Sequence, residues 1–388
     1  MIIQRHLTEI VRKRARKMPI IAITGPRQSG KTTLAKQAFP DYRFISLETT
    51  DSRAYAQNDP RGFLEEYGPR LVIDEAQYVP QLFSHIQDMV DLSGKTGQYV
   101  LTGSQNFKLS SSISQSLAGR VAAFTLLPFS IDELRQAGKM KKDLWTILHR
   151  GFYPRLYSRR LQPSEWLPDY TRDYIERDVR NLKNIGNLMD FRKFMKLCAS
   201  RAGHIVNFSS IGNEVGVSYQ TIKQWMSILE ASYIIFLLPA YHRNFSKRIV
   251  KSPKIYFYDV GLLCSLLEID TVKELQRSPL RGQIFENFLV AEFLKNAFHR
   301  ADNRTFYFWR DNTGNEIDLV FEKGNKIHLY EIKLSATMSE TLLRNLWLFD
   351  KLNTGEHTRK TLIYTGPYRH TYKYVNIVPW HSDTLFAF

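Results

Sequence analysis

The segment PIIAITGPRQSGKTTLAKQAF, residues 19–39, decides the fold of this chain. Its apolar run from Ile20 to Ile23 lies between a proline and a glycine, which is typical of a buried strand. Gly25, Gly30, Lys31 and Thr32 follow with the spacing G-x-x-x-x-G-K-[ST], between this strand and a predicted helix. The segment therefore predicts a phosphate-binding loop that opens an α/β domain, with a parallel sheet and helices on both of its faces.

The residue types of this loop suit a nucleotide and a magnesium ion. Glycines let backbone N–H groups turn inward around phosphates, and Lys31 would reach the β and γ oxygens. Thr32 would ligate Mg²⁺ beside the positive end of the following helix. We expect ATP as the ligand, bound by the loop residues Gly25, Pro26, Arg27, Gln28, Ser29, Gly30, Lys31, Thr32 and Thr33.

A second acidic motif follows in RLVIDEA, residues 70–76, an apolar strand that ends in two carboxylates. We expect Asp74 to hold Mg²⁺ through its water shell and Glu75 to polarise the attacking water. The alternative is a strand that ends in a solvated acidic turn, and the preceding phosphate loop makes this alternative the weaker one.

A third buried strand is predicted at residues 98–102. Because the carboxyl ends of parallel strands line the ligand crevice, Ser104 or Asn106 is a candidate sensor of the γ-phosphate. Arg120, in the segment LAGR, is a candidate arginine finger, supplied in cis or from a neighbouring subunit. A plain surface arginine is an equal alternative for Arg120.

The composition favours a soluble chain with a polyanionic partner. The 388 residues carry 54 basic and 38 acidic side chains, a net charge of +16. Such an excess attracts nucleic acid, although a merely basic soluble protein is the alternative. Cys198 and Cys264 lie in apolar segments and are expected to be packed thiols in a reducing cytoplasm. No secretory signal or bilayer-spanning run is visible, so a cytoplasmic protein without a membrane partner is expected.

The pattern predicts three domains, at residues 1–135, 136–275 and 276–388. The alternation of strands and helices stops near residues 128–151, where helices rich in arginine and tyrosine begin. Further on, residues 197–202, 209–215 and 218–229 have a helix-turn-helix pattern, and strands at 233–238 and 254–258 flank the basic segment HRNFSKRIVKS.

This middle pattern fits a winged helix with a basic wing. The side chains expected to face outward at the start of the recognition helix are Tyr219, Gln220, Lys223 and Gln224. DNA is the expected partner, while protein docking and a nucleotide lid are the alternatives.

The last domain contains a second constellation of charged residues. The segment 315–333 predicts a hairpin that turns at 323–325, which places Asp318 opposite Glu331 and Glu316 opposite Lys333. Two carboxylates that face each other in a sheet repel each other, so a cation is expected between them, and Mg²⁺ is the usual cation for oxygen ligands. Lys333 would then orient a water or stabilise a phosphoryl oxygen. The alternative is a surface charge cluster with a cross-strand pair between Glu316 and Lys333.

Seven segments together carry a family resemblance: GPRQSGKTT, LVIDEAQ, LTGSQNF, LAGR followed by LLPFS, DYIERDV, KIYFYDVGLL and YFWRDNTGNEIDLV. With these segments the chain resembles the prokaryotic AAA-type ATPases whose C-terminal half is a domain of unknown function. The resemblance implies an AAA+ or STAND-like ATP-binding domain, a winged-helix segment and a terminal α/β fold similar to the PD-(D/E)xK nucleases.

The resemblance also implies site residues, position by position. Lys31 and Thr32 match the phosphate loop, and Asp74 with Glu75 matches the second acidic motif. The nuclease-like core is matched by Glu286, Asp318 and Glu331 as metal ligands, together with Lys333. The chain departs from the family at Phe152, where a second glycine is usual, and at Ile317, where a proline is usual before Asp318.

The function expected from the sequence is ATP hydrolysis on or near DNA. One alternative is an ATP-controlled protein-interaction switch with a non-catalytic C-terminal scaffold. The other is a Mg²⁺-dependent DNA endonuclease under ATPase control. A protein partner and a homo-oligomer are left open by the sequence.

Overall fold

The computed structural model describes residues 2–104, 117–141, 143–159, 161–176, 188–241, 252–352 and 357–386. Its N-terminal part alternates helices and strands. In chain order these are α1 Leu7–Ala15, β1 Ile20–Thr24, α2 Lys31–Ala38, β2 Arg43–Ser46, α3 Thr50–Asn58, α4 Pro60–Tyr67, β3 Leu71–Asp74, α5 Leu82–Ser93, β4 Tyr99–Gly103 and β5 Val121–Thr125. A short 3₁₀ turn, Ala76–Tyr78, follows β3.

The five strands form one parallel sheet in the order β2-β3-β4-β1-β5. Alternate side chains of β1 enter two different cores: Ile20 packs with residues of α3 to α5, and Ile21 packs with residues of α1 and α2. Helices therefore cover both faces, and the predicted parallel α/β domain is confirmed. Because β4 lies between β1 and β3, the ends of these three strands meet along one edge.

The middle part is mainly helical. It contains α6 Ile131–Gln136, α7 Leu144–Arg150, α8 Pro154–Ser158, α9 Pro163–Tyr170, α10 Leu188–Ser200, α11 Phe208–Val215, α12 Tyr219–Ala231, β6 Ile235–Leu238, β7 Lys254–Phe257, α13 Val260–Leu266 and α14 Val272–Arg277. A π-helical turn, Thr171–Glu176, continues α9. Cys198 and Cys264 are buried thiols in the apolar core, as predicted.

The helix-turn-helix segment has the predicted helices and turn. Gly216 ends α11 with φ of +93°, and the Ser218 hydroxyl caps α12 by accepting the Thr221 N–H at 3.1 Å. Strands β6 and β7 pair antiparallel. The basic residues 242–251 between them lie outside the described residues, as does Asn106, so the winged-helix assignment stays a prediction.

The C-terminal part is one long helix on a mixed sheet. Its elements are α15 Arg281–His299, β8 Tyr307–Arg310, β9 Glu316–Lys323, β10 Lys326–Lys333, α16 Arg344–Leu352, β11 His357–Tyr364, β12 His370–Tyr372 and β13 Val375–Pro379. The strand order is β12-β13-β11-β10-β9-β8. The β9–β10 hairpin pairs Lys323 with Lys326 and Leu319 with Tyr330, so the predicted turn is confirmed, and the register agrees with the prediction up to the pair that precedes Asp318 and Glu331.

One apolar cluster continues from the middle helices into the C-terminal sheet and includes both faces of α15. Within the described ranges, no helix has both the length and the hydropathy needed to cross a bilayer.

Candidate functional site

The phosphate loop takes the backbone conformations that its glycines were expected to permit. Gly25 has φ of +147°, and a Cβ there would overlap the carbonyl oxygen of Leu126. Gly30 has φ of +95° and precedes α2, whose first residues are Lys31 and Thr32. A side chain at Gly25 would thus meet both backbone strain and a fixed carbonyl group.

Lys31 is held over this loop. Its side chain is almost fully buried, and Nζ donates hydrogen bonds to the carbonyl oxygens of Pro26 at 2.9 Å and Gly25 at 3.1 Å. The ammonium group therefore lies at the centre of the loop, where phosphate oxygens would compete for it.

Asp74 lies directly beside Thr32. The Thr32 hydroxyl donates to Asp74 Oδ1 at 3.1 Å, and the hydroxyl of Thr102, at the end of β4, donates to the same oxygen. Burial raises the pKa of Asp74, and the hydrogen bonds from Thr102 and Thr32 oppose this rise. A hydroxyl and a carboxylate in contact are the oxygen donors that Mg²⁺ uses beside phosphates, so these residues fit the expected metal.

Glu75 follows in a left-handed conformation, with φ of +55°. This conformation is uncommon for a residue with a Cβ and turns the side chain out of the strand direction. Ser104 Oγ donates to Glu75 Oε2 at 2.9 Å, and the Gln77 side-chain amide donates to the same oxygen. Ser104, predicted as a phosphate sensor, thus contacts Glu75 directly, and Oε1 has no hydrogen-bond partner among the described residues.

Helix α8 closes the opposite side of the site. A cleft of about 430 Å³ lies between the phosphate loop, the Asp74–Glu75 pair and α8, and its lining includes Arg155 and Arg159. The Arg155 Nε is buried without a hydrogen-bond partner among the described residues. The sequence analysis did not assign these two arginines to the site; the signal was the basic segment GFYPRLYSRR.

Tyrosine contacts hold this helical segment against the loop. Tyr170 on α9 donates from its hydroxyl to the carbonyl oxygen of Arg27 at 3.2 Å. Tyr153, the residue before α8, donates in turn to the Tyr170 hydroxyl at 3.1 Å. Both rings are buried, so α8 is positioned by packing as well as by hydrogen bonds.

A second cavity, of about 320 Å³, adjoins the cleft and shares Gly30, Thr33, Pro154 and Ser158 with it. Its walls add apolar groups from Ile3, Phe129 and Tyr157. A partly apolar pocket with a few polar groups next to a phosphate cradle has the dimensions and chemistry suited to a nucleoside base.

A buried ion-pair network ties the loop to α15. Arg5 donates to the carbonyl oxygens of Ser29 at 2.9 Å and Leu127 at 2.6 Å, and its Nε pairs with Glu133 at 2.9 Å. Glu133 lies 3.3 Å from His299 at the end of α15. Burial opposes ionisation of Glu133, but the charge of Arg5 and the neighbouring His299 outweigh it and hold the pKa of Glu133 well below its usual value.

Arg120 is not part of this site. Its carbonyl accepts the N–H of Ile20 at 3.2 Å, so it lies beside the start of β1, while the phosphate loop follows the end of β1. The five residues of β1 separate the two by about 13 Å. The guanidinium pairs instead with Asp91, at 2.5 and 2.7 Å. An arginine finger in cis is therefore excluded at this site, and the role in a neighbouring subunit stays a prediction.

The C-terminal charge cluster is buried. Lys333 Nζ lies 2.8 Å from Glu331 Oε1 and 3.2 Å from Asp318 Oδ2. Asp318 also accepts the backbone N–H of Ile332 at 2.7 Å. Burial and the nearby charge of Asp318 raise the pKa of Glu331 well above its usual value. The alternative of a surface cluster is wrong, because Asp318 and Glu331 are each only 3% exposed.

The second ammonium group in the cluster belongs to Lys254, at the start of β7. The sequence analysis did not single out this residue. Its Nζ pairs with Glu316 and lies 3.3 Å from Glu286, which also accepts the Tyr256 hydroxyl at 2.6 Å. Burial alone would lower the pKa of Lys254, but the charges of Glu286 and Glu316 raise it above the usual value. Glu316 therefore pairs with Lys254, and with Arg310 at 3.1 Å, rather than with Lys333.

The expected Mg²⁺ set of Glu286, Asp318 and Glu331 does not fit the observed geometry. In the part of the chain that the structure describes, no group of three or more histidine, cysteine, aspartate or glutamate side chains is arranged to hold a metal ion. The physical reason is that ammonium groups already lie between these carboxylates.

Comparisons with known proteins divide the chain into three matched segments. A family described as "AAA domain" matches residues 17–135. Two families described as domains of unknown function, DUF8612 and DUF4143, match residues 141–273 and 281–382.

Two mycobacterial relatives match along most of the chain, and both are described as uncharacterized proteins. The proteins Rv2008c of Mycobacterium tuberculosis and Mb2031c of Mycobacterium bovis are each 29% identical over 364 residues, which cover 92% of this chain and 79% of theirs.

Similar solved structures include the Walker-type ATPase PABY2304 of Pyrococcus abyssi, with 12% identity, a TM-score of 0.47, and coverage of 68% of this chain and 96% of that one. Another is the RuvB Holliday junction branch migration motor of Thermotoga maritima, with 18% identity, a TM-score of 0.31, and coverage of 60% and 86%. Residues 17–135 thus match the AAA-domain family model, and they have the parallel sheet and the phosphate-loop geometry of a P-loop fold.

Proposed function

We propose that this chain binds ATP with Mg²⁺ in the cleft between the phosphate loop and α8, and hydrolyses it. The observation that carries the proposal is the convergence of Lys31, the Thr32–Asp74 pair and Glu75 at one edge of the sheet. The adjoining apolar cavity is the proposed position of the adenine base.

Each residue has a distinct role in this proposal. Lys31 and the loop N–H groups bind the β and γ oxygens, and Thr32 with Asp74 holds Mg²⁺, which supplies neutralisation of the phosphate charge. Glu75 orients a water for in-line attack on the γ-phosphorus and accepts its proton, while the bond from the γ-phosphorus to the bridging oxygen breaks and ADP leaves. Ser104 and Gln77 hold Glu75 in this orientation.

Arg155 on α8 and Arg159, which directly follows this helix, complete the site. The unpartnered Nε of Arg155 is a donor suited to a phosphoryl oxygen, so the bound γ-phosphate would fasten α8 to the phosphate loop. Loss of that phosphate would release the contact, which gives the nucleotide a means of changing the position of the middle segment.

The test is phosphate release from Mg·ATP by purified protein, with ATP affinity measured in parallel. Lys31→Ala should abolish tight ATP binding, whereas Glu75→Gln should retain binding and lose hydrolysis by about 10² to 10⁴-fold, the usual contribution of a general base. Unchanged ATP affinity in Lys31→Ala would refute the assignment of the site.

We propose, secondly, that helix α12 contacts DNA. The predicted outward residues Tyr219, Gln220, Lys223 and Gln224 are all exposed, and Tyr219 is 50% exposed although it is a large aromatic residue. The net charge of +16 favours a polyanion.

Duplex binding at increasing salt concentration tests this second proposal. A DNA-binding protein loses affinity steeply with salt because counterions are released, and Lys223→Ala should reduce the slope by about one if Lys223 contacts a phosphate. Absence of binding, together with ATP hydrolysis that DNA leaves unchanged, would favour an ATP-controlled switch for a protein partner instead.

A further inference from the structure

We infer that the ammonium group of Lys254 takes the place of the divalent cation that the nuclease resemblance implies, so that the C-terminal charge cluster is a metal-free ion-pair lock. The lock joins β7 of the middle segment to α15 and β9 of the C-terminal part through Glu286 and Glu316. This inference concerns a site separate from the ATP cleft and does not depend on the proposed ATPase activity.

Backbone pairing and burial fix the position of Lys254. Strand β7 starts at Lys254 and pairs with β6, and a further bridge joins Lys254 to Ile205. The residue is 1% exposed, and its Nζ lies 5.5 Å from the centre of the Phe308 ring. A lysine this deeply buried needs acidic partners, which Glu286 and Glu316 supply.

Each of the two ammonium groups contacts a different pair of carboxylates. Lys254 contacts Glu286 and Glu316, while Lys333 contacts Asp318 and Glu331. Tyr256 donates a further hydrogen bond to Glu286. The carboxylates that a metal would need to share are therefore oriented toward two different cations.

One oxygen of each expected metal ligand is already paired with an ammonium group. Glu331 Oε2 is buried and has no hydrogen-bond partner among the described residues. Glu286 Oε1, Asp318 Oδ2 and Glu331 Oε1 each face an ammonium group, so a Mg²⁺ ion that used these oxygens would have to displace Lys254 or Lys333. A divalent cation would also have to approach Lys254 and Lys333, whose positive charges repel it.

The experiment measures Mn²⁺ binding in an Asp74→Asn background, which removes the carboxylate expected to hold metal at the ATP site. With Lys254 present, we expect no saturable Mn²⁺ binding by titration calorimetry, and supercoiled plasmid should stay intact in Mg²⁺ or Mn²⁺. One bound Mn²⁺ per chain that is lost on Asp318→Asn would overturn the inference, as would plasmid nicking that Asp318→Asn abolishes.

The variant Lys254→Met, added to the same background, provides the complementary measurement. It keeps the length of the side chain and removes its charge, which leaves Glu286 and Glu316 without their buried partner. We expect a lower melting temperature that Mn²⁺ partly restores, because a divalent cation can then occupy the vacated position. An unchanged melting temperature would show that the ion pairs do not lock the two segments and would refute the inference.

The conservative variant Lys254→Arg serves as the matched control, since it keeps the positive charge. It should remain insensitive to Mn²⁺, and a Mn²⁺ response equal to that of Lys254→Met would count against the lock. If Lys254→Met does not fold, the titration of the protein that retains Lys254 still decides between a metal-free cluster and a metal site.

Discussion

Replacement of Arg155 by alanine should lower ATPase activity without lowering the stability of the nucleotide-free protein. Arg155 enters the cleft from α8, and its Nε is buried without a partner in the described part of the chain. A buried donor in this state costs about 1–3 kcal/mol of folding free energy, and alanine removes that donor. The folded protein therefore loses no hydrogen bond at Nε when Arg155 is truncated.

With ATP bound, the substitution has the opposite effect, because it removes a hydrogen bond to the nucleotide. A hydrogen bond from a charged donor to a phosphoryl oxygen contributes about 1.5–3 kcal/mol. Since about 1.4 kcal/mol corresponds to a tenfold change in rate, kcat/KM should fall about 10- to 100-fold in Arg155→Ala. The melting temperature without ATP should stay the same or rise slightly, while its increase on addition of Mg·ATP should become smaller.

Steady-state phosphate release and thermal unfolding, each with and without Mg·ATP, provide the measurement. Arg61→Ala is the matched control, because Arg61 lies on the surface and makes an exposed ion pair with Glu65 at 2.8 Å. Exposed pairs of this kind contribute little, so both readouts should be unchanged in the control. Wild-type activity in Arg155→Ala would refute the role of Arg155, and so would an equal loss of stability with and without nucleotide.

Three further predictions concern other parts of the structure. Ser104→Ala removes the 2.9 Å hydrogen bond to Glu75 and should lower kcat about 10-fold or more, while KM for ATP stays unchanged. A rise in KM as large as the fall in kcat would contradict a role of Ser104 in positioning Glu75. Gly25→Ala should lower the free energy of unfolding, measured in urea, by at least about 2 kcal/mol, because its Cβ would overlap the Leu126 carbonyl oxygen. Gly94→Ala, at a positive φ in open space, should cost only about 1–2 kcal/mol, and equal losses in the two variants would contradict the predicted overlap. Glu133→Gln should cost about 3–5 kcal/mol at pH 7, because it breaks a buried ion pair. Since folding lowers the pKa of Glu133, the ionised side chain contributes to the free energy of unfolding above pH 4.5, and this contribution is lost as the pH falls below that value. Acidification should therefore destabilise the wild type more than Glu133→Gln. Parallel pH profiles of stability for the two proteins would contradict this assignment.

Local patterns in the sequence were sufficient for much of the fold. The phosphate loop was predicted because its glycines, Lys31 and Thr32 are neighbours in the chain and their spacing is set by one strand-to-helix turn. The register of the β9–β10 hairpin followed from its two-residue turn at Gly324 and Asn325, because side chains alternate along paired strands. Both features depend on interactions over a few residues.

The candidate site needed more than local patterns. Ser104 was placed correctly at the end of a central strand, but its contact with Glu75 depends on β4 lying next to β3. Thr102, which donates to Asp74, depends on the same strand order. Arg120 was a candidate arginine finger, in cis or from a neighbouring subunit, or a plain surface arginine, and its position just before β5 excludes only the role in cis.

The sequence by itself determined the phosphate loop, the acidic pair at the end of β3 and the pairing of the C-terminal hairpin, because steric and hydrogen-bonding rules act between near neighbours. Only the tertiary structure decided that Arg155 enters the ATP cleft and that Lys254 enters the cluster of Glu286 and Glu316. These contacts join segments far apart in the chain, and the burial of one shared apolar core brings them together. Whether a carboxylate faces a metal or an ammonium group is therefore set by packing, which the spacing of acidic residues does not reveal.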